Sequence, residues 1–176
     1  MNNFQYSNAL AQSFFPENNR CSGGDDDHHE ERRVKKQVAL NASSGGVGPL
    51  PIITTLFAEP INVVSTTIDT REMENTNNLL HFSSIINLPL GISVTLNFQI
   101  RRTSSEGGTI GVGATYTFST LVDVLEAEAF SFQFMDSNVE PGFYTYSVEL
   151  STNSIIDVTP GASVNNAVLS VLAVAN

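Results

Sequence analysis

The residues best suited to bind a cation lie together in one acidic, histidine-containing block. The block consists of Asp25, Asp26, Asp27, His28 and His29, and two glutamates follow it. Carboxylates and imidazoles are competent ligands for divalent metals. Consecutive residues cannot all point at one ion, however, and the spacing matches neither an EF-hand loop nor a zinc-binding helix motif. We therefore interpret the block as a solvated linker with weak metal candidates, and we predict no cofactor.

Nucleophilic and acid–base chemistry has less support. Cys21 follows Arg20, whose charge would favour a thiolate, but the segment offers no predicted pocket. His81 is the one histidine outside the acidic block, and a metal centre built on strands needs several. The carboxylates of the rest of the chain show no spacing typical of a catalytic pair; they include Glu126, Glu128, Asp136, Glu140 and Glu149. We predict no catalytic residue and no enzyme activity.

The charges are unevenly divided along the chain, whose formal net charge is −10. Residues 1–50 hold five basic and six acidic side chains, whereas residues 51–176 hold three arginines, twelve acidic residues and no lysine. Binding to nucleic acid needs clustered basic residues, so we expect no nucleic-acid partner. The apolar runs are too short to span a membrane, and residues 1–5 lack the basic and apolar parts of a secretion signal. We expect no membrane insertion.

Residues 1–36 are predicted to form an N-terminal arm and charged linker. The arm carries five large apolar side chains, too many for a disordered tail: Phe4, Tyr6, Leu10, Phe14 and Phe15. Three of them share a helical stripe (Tyr6, Leu10, Phe14), while Phe4 and Tyr6 also fit strand alternation. Two placements stay open, folding back onto its own domain or packing against a neighbouring subunit. Cys21 is either unpaired or forms an intersubunit disulfide.

Residues 37–176 follow the two-residue period of β-strands. The clearest run is 92–100, in which five apolar residues alternate with polar ones. Further runs lie at 38–42, 61–68, 80–86, 110–118, 130–134 and 144–150. The nearly continuous apolar run 168–174 suggests a strand buried on both faces, and the one candidate helix lies at 120–129. Eight or nine strands between turn signals predict an all-β, jelly-roll-like antiparallel β-sandwich with an N-terminal extension.

Several stretches of this body resemble an uncharacterised clostridial domain family. They are residues 81–91 (HFSSIINLPLG), 96–100 (LNFQI), 117–122 (TFSTLV), 126–132 (EAEAFSF) and 164–174 (VNNAVLSVLAV). The resemblance covers roughly residues 36–176 and implies no enzyme activity. Separately, residues 141–148 (PGFYTYSV) are similar to the Gly-x-Tyr strand of tumour-necrosis-factor and complement-C1q-like jelly rolls.

The layout of arm, spacer and sandwich resembles the fibre subunits of endospore appendages, in which an N-terminal connector docks into the next subunit. Those connectors are usually rich in cysteine, whereas this arm has Cys21 alone. The resemblance therefore implies at most one disulfide per subunit.

These observations favour a structural subunit that self-assembles into a surface filament, spore appendage or coat. Its expected partners are further copies of itself and other spore-surface proteins. It would reach the spore surface without a signal peptide. The alternative is a lectin-like or tumour-necrosis-factor-like binding module that forms a closed trimer.

Overall fold

A computed structural model of the chain describes residues 37–50, 59–89, 93–121, 126–152 and 161–176. In this part of the chain every regular element is a β-strand. The strands are β1 (Val38–Val47), β2 (Ile61–Asp69), β3 (Thr76–Leu88), β4 (Ser93–Ser104), β5 (Thr109–Leu121), β6 (Glu126–Val139), β7 (Phe143–Thr152) and β8 (Ser163–Ala175). The prediction of an all-β chain is confirmed, with eight strands.

The strands form two antiparallel four-stranded sheets. The first, here sheet I, has the order β1-β8-β3-β6, and the second, sheet II, has the order β2-β7-β4-β5. The first and last strands pair along most of their length, from Val38 with Val174 to Ser44 with Val168. Two four-stranded sheets with this order make an eight-stranded jelly roll, which confirms the predicted fold class.

The core fills the space between the two sheets. Its largest fully buried side chains include Phe82 from sheet I and Phe98 and Tyr146 from sheet II. The rings of Phe82 and Phe98 lie 5.6 Å apart across the two layers. Burying one such side chain stabilises the fold by about 1.5–3 kcal/mol, so the inward alternation of each strand explains why the sheets pack together.

The sandwich is closed differently at its two sides. On one side β1 lies against β2, where the Asn41 side-chain amide donates to the Thr67 carbonyl at 2.8 Å. On the other side aromatic rings fill the gap between β5 and β6. Tyr116 stacks on Phe132 with a centroid distance of 3.9 Å. Gly113 has a φ of 74° and lies so close to a phenylalanine ring of β6 that a Cβ would collide with it.

Two expectations from the sequence are wrong. The last strand, β8, is not buried on both faces: Leu169, Val171 and Ala173 are fully buried, but Val168 and Val174 are 37% and 41% exposed. The reason is that a sheet in a two-layer sandwich has one covered face. The candidate helix at 120–129 is also wrong where it is described, because Leu121 ends β5 and Glu126 begins β6.

Candidate interaction surface

The outer face of sheet I carries a row of apolar side chains that crosses all four strands. Leu40 of β1 lies opposite Leu172 of β8, Leu172 opposite Leu79 of β3, and Leu79 opposite Met135 of β6. We call these four residues the leucine row. Leu40 is 70% exposed and Met135 47% exposed, and the two central leucines are half-buried. Side chains opposite each other on neighbouring strands are in contact range, so the row is continuous.

Four further residues extend this apolar surface along the strands. Val38 and Val174 form the adjacent cross-strand pair, and Ile85 and Val168 lie towards the other end. All four are exposed. The row and these residues together are called the apolar face below. The leucine row and the pair Val38 and Val174 are contiguous, whereas the polar row of Ser170, His81 and Gln133 separates them from Ile85 and Val168. Single exposed apolar residues are ordinary, but a contiguous exposed patch marks an interaction surface.

On the outer face of sheet II, a row of polar side chains crosses the four strands, as the leucine row does on sheet I. Thr67 of β2 lies opposite Thr145 of β7, Thr145 opposite Thr103 of β4, and Thr103 opposite Thr109 of β5. This threonine row crosses four strands just as the leucine row does. The hydroxyl groups of Thr103 and Thr109 lie 2.9 Å apart and share a hydrogen bond. Hydrogen-bonded threonines need no cover, because their polar groups are satisfied at the surface.

A bulge in the edge strand β5, faced by a glutamine of β4, interrupts the edge of sheet II. The pairing of β4 with β5 shifts between Phe98 and Ile100, leaving a bulge opposite Gln99. The Gln99 amide nitrogen donates to the Val112 carbonyl at 3.1 Å, and its oxygen accepts from Thr115 at 3.0 Å. The side chain thus replaces ladder hydrogen bonds that the bulge removes. A bulge also makes an edge strand a poorer template for pairing.

A buried polar network joins the two sheets at the end where β1 begins. The Tyr146 hydroxyl donates to Asp136 Oδ2 at 2.8 Å and accepts from the Asn78 amide at 2.9 Å. Arg102 donates to the same carboxylate oxygen at 2.6 Å, and its guanidinium lies 5.5 Å from the Tyr144 ring centroid. Sheet I supplies Asn78 and Asp136, whereas sheet II supplies the arginine and the tyrosines.

The ionisation of this network follows from its burial. Burial raises the pKa of Tyr146 far above its ordinary value, so the phenol stays neutral. Burial also opposes the charge on Arg102, but the carboxylate of Asp136 outweighs it and raises the pKa of the guanidinium. Arg102 therefore keeps its charge, and its hydrogen bond to Asp136 links the two layers.

A cleft of about 280 Å³ opens beside this network. Its lining includes Arg102 and Tyr144 together with two carboxylates, Glu106 and Glu140. Because Arg102 is already neutralised by Asp136, the cleft offers no unpaired cation to an anionic ligand among its lining residues. The arrangement has no nucleophile paired with a base, and it is best understood as the surface end of the network.

Most of the residues singled out from the sequence lie outside the described part of the chain. These are the arm residues Phe4, Tyr6, Leu10, Phe14 and Phe15, together with Cys21 and the acidic block Asp25–His29, so their roles stay predictions. His81 lies half-buried on the outer face of sheet I, opposite Ser170 and Gln133. Within the described ranges, no three His, Cys, Asp or Glu side chains are grouped to hold a metal, and no helix could cross a membrane.

The sequence did not reveal the leucine row, although it contained one signal for it. The apolar run 168–174 supplies Leu172 to the row, but it was interpreted as a strand buried on both faces. Leu79 and Leu80 are adjacent in the chain and therefore point to opposite faces of the strand. Alternation of apolar and polar residues does not predict a leucine on the outer face. Among the acidic candidates, Asp136 alone joins the buried network described above.

The architecture defines the class of protein as a two-sheet jelly roll. Residues 37–174 match the family described as "Domain of unknown function (DUF4489)", and the chain belongs to that family. The predicted resemblance to a family without assigned activity is thereby confirmed, while the clostridial origin and the likeness to endospore appendages stay predictions. No curated protein matches the chain.

Solved structures with similar folds come from several sources. One chain in the structure of infectious bursal disease virus Gx strain is 12% identical with a TM-score of 0.46, over 78% of this chain and 32% of that one. The present chain thus spans about a third of that viral protein. The globular domain of zebrafish complement 1qA is 9% identical with a TM-score of 0.40, over 74% and 94%. The CBM22-1 xylan-binding domain from Paenibacillus barcinonensis Xyn10C is 12% identical with a TM-score of 0.34, over 78% and 86%.

Proposed function

We propose that the protein is a structural subunit that self-assembles, with the N-terminal arm of one copy docking into a neighbour. The observation that carries this proposal is the apolar face of sheet I. It contributes little to holding the two sheets together, because the core lies on the other side of sheet I. An exposed apolar surface of this kind is stabilised when a partner covers it.

The edges of the sandwich support the same function. The edge strand β5 contains no charged residue and no proline over its thirteen residues. Lysine, the usual guard of exposed sheet edges, is absent from residues 37–176. Sheet augmentation between copies is therefore part of the proposal, with the bulge at Gln99 confining it to the regular stretches of β5.

The biological setting we propose is a filament, appendage or coat on the spore surface, without enzyme activity. Head-to-tail contacts, in which an arm enters a different surface on the next copy, propagate instead of closing. Other spore-surface proteins are further candidate partners.

The test compares three forms of the chain by negative-stain microscopy and sedimentation velocity over a hundredfold range of concentration. The full chain is expected to form multimers whose size grows with concentration. Deleting residues 1–34 or replacing the five large arm residues with serine is expected to leave a folded sandwich that does not multimerise. Multimers formed equally well without the arm would contradict the proposal.

The second candidate is a lectin-like or tumour-necrosis-factor-like binding module that forms a closed trimer. The apolar face also favours this candidate, because a closed oligomer would bury the same surface. Its expected signature is a single trimeric mass that does not change with concentration above the dissociation constant. The same sedimentation series separates the two candidates.

A further inference from the structure

We infer that the apolar face of sheet I is the docking surface for residues 4–15 of the arm of a second copy. This inference rests on the proposed function and specifies the surface that receives the arm. It is argued below from the charge of the two surfaces, their size, and the length of chain between the arm and β1.

Both surfaces are free of charge. Among the described residues of sheet I whose side chains point outward, His81 is the only titratable one. Residues 4–15 of the arm (FQYSNALAQSFF) contain no ionisable residue except Tyr6. Bringing the two together therefore removes no formal charge from water, which is the main cost of covering most protein surfaces. The charged linker 25–36 lies between the arm and β1 and stays outside this contact.

The size of the apolar face favours the arm over a second flat sheet. Four strands about 4.8 Å apart and about 20 Å of strand length give a face of roughly 300–400 Å². A stable interface buries about 800 Å² on each partner, so face-to-face packing of two sandwiches would fall well short. The four aromatic side chains of the arm add about 150–250 Å² each when buried. The arm is thus large enough to cover the whole face.

The spacing of the arm residues matches the width of the leucine row. Tyr6, Leu10 and Phe14 recur every four residues. From Tyr6 to Phe14 they span eight residues, or about 12 Å along a helix. The leucine row spans three steps between neighbouring strands, or about 14 Å. The three side chains therefore suffice to cover the row from β1 to β6.

The length of the linker allows the arm to reach a second copy. Val38 begins β1 and is itself part of the apolar face. The 22 residues from 16 to 37 reach about 70–75 Å when extended. The longest strands of the sheet have 13–14 residues and measure about 45 Å. The linker is longer than the chain's own face requires, and it can reach the same face on a neighbour.

The experiment uses the full chain with matched substitutions on the two sheets. The face variant is Leu40→Thr with Leu172→Thr, a cross-strand pair of the leucine row. The control variant is Thr67→Ala with Thr145→Ala, the cross-strand pair of the threonine row. The arm variant replaces Phe4, Tyr6, Leu10, Phe14 and Phe15 with serine. Near-ultraviolet circular dichroism and thermal unfolding establish that each variant is folded before its association is measured by sedimentation velocity.

The face variant and the arm variant are each expected to weaken self-association at least tenfold, and the control variant less than twofold. If the arm variant loses association and the face variant keeps it, the docking surface is elsewhere and this inference fails while the proposed function survives. If neither loses association, the proposed function fails as well. Loss in the face variant alone would mean that a partner other than the arm covers the face.

A mixing experiment separates a neighbour's arm from the chain's own arm. The arm variant retains an intact face, and the face variant retains an intact arm. If the arm docks on a second copy, the equimolar mixture forms a complex of one copy of each, although neither variant associates alone. If the arm docks on its own face, the unsubstituted chain stays monomeric even though the two variants complement each other in the mixture, and a monomeric unsubstituted chain would overturn the inference.

Discussion

The leucine row of sheet I and the threonine row of sheet II occupy corresponding places in the two layers of the sandwich. Each row crosses four strands through directly opposed cross-strand pairs, and each points away from the core. The inner faces of both sheets are mainly apolar and share the buried polar network, so both sheets contribute to the core. The two sheets therefore differ in what their outer faces can bind.

Threonine and leucine on an outer face have different consequences. A threonine suits a β-strand and can satisfy its hydroxyl within the surface, as the pair Thr103 and Thr109 does at 2.9 Å. A leucine in the same position gains nothing from folding while it stays exposed. The outer face of sheet II suits a surface that stays in contact with water, whereas the outer face of sheet I suits a surface that a partner covers.

The largest expected effect contrasts the two faces within one dipeptide. Leu80 is 1% exposed and points into the core, whereas Leu79 belongs to the leucine row. Leu80→Ala is expected to lower the free energy of unfolding by about 2–5 kcal/mol because it leaves a cavity. Leu79→Ala is expected to lower it by less than about 1 kcal/mol. Urea unfolding of both variants checks the contrast, and equal losses would mean that the leucine row is part of the core.

The next prediction concerns the buried polar network that joins sheet I to sheet II. Asp136→Ala leaves the half-buried Arg102 and the buried Tyr146 without their shared acceptor, and we expect a loss of about 3 kcal/mol. The control is Asp69→Ala, whose partner Arg71 is 68% exposed in its side chain, and its expected loss is much smaller than that of Asp136→Ala. Similar losses in the two variants, measured by urea unfolding, would count against a structural role for the network.

The pH dependence of stability follows from Tyr146. Its folded pKa is raised above its unfolded value, so its contribution is complete below about pH 10 and is lost as pH rises towards the folded pKa. The unfolded phenol ionises first, which predicts a loss of about 1.4 kcal/mol between pH 9 and pH 11. Tyr146→Phe removes this contribution, so a variant with the same alkaline slope as the unsubstituted chain would contradict the assignment.

The smallest expected effect is at the edge of sheet II. Gln99→Ala removes the hydrogen bonds to Val112 and Thr115 that close the bulge, and we expect a loss of about 1 kcal/mol together with faster hydrogen exchange in β5. Gln133→Ala, on the outer face of sheet I, is the matched control and should change neither quantity. Unchanged exchange in β5 would show that the bulge holds its shape without the side chain.

Much of the fold could be predicted because it depends on local alternation. Four predicted runs each lie within an observed strand: 61–68, 80–86, 110–118 and 144–150. These strands could be predicted because the alternation of buried and exposed positions is visible in consecutive residues. The β8 run was misjudged because an apolar outer face looks, along one strand, like burial on both faces. The two cases differ only in whether another part of the protein packs on the outer face of the sheet.

The candidate surface could not be predicted because its parts are distant in the chain. Leu40, Leu79, Met135 and Leu172 come from four strands, and they form a row only through the pairing register. The same holds for Asp136, which reaches Arg102 and Tyr146 across the two layers. The arm residues remain predictions from composition and spacing alone.

The pairing of the first strand with the last has a consequence for when the protein can assemble. β1 and β8 supply half of the leucine row, and they are separated by the other six strands in the order of synthesis. Such distant pairing forms late and slowly in folding. Until β8 is in place, a nascent chain has an incomplete surface to offer a neighbour. If the protein assembles as proposed, the complete leucine row is available only on chains that have finished folding.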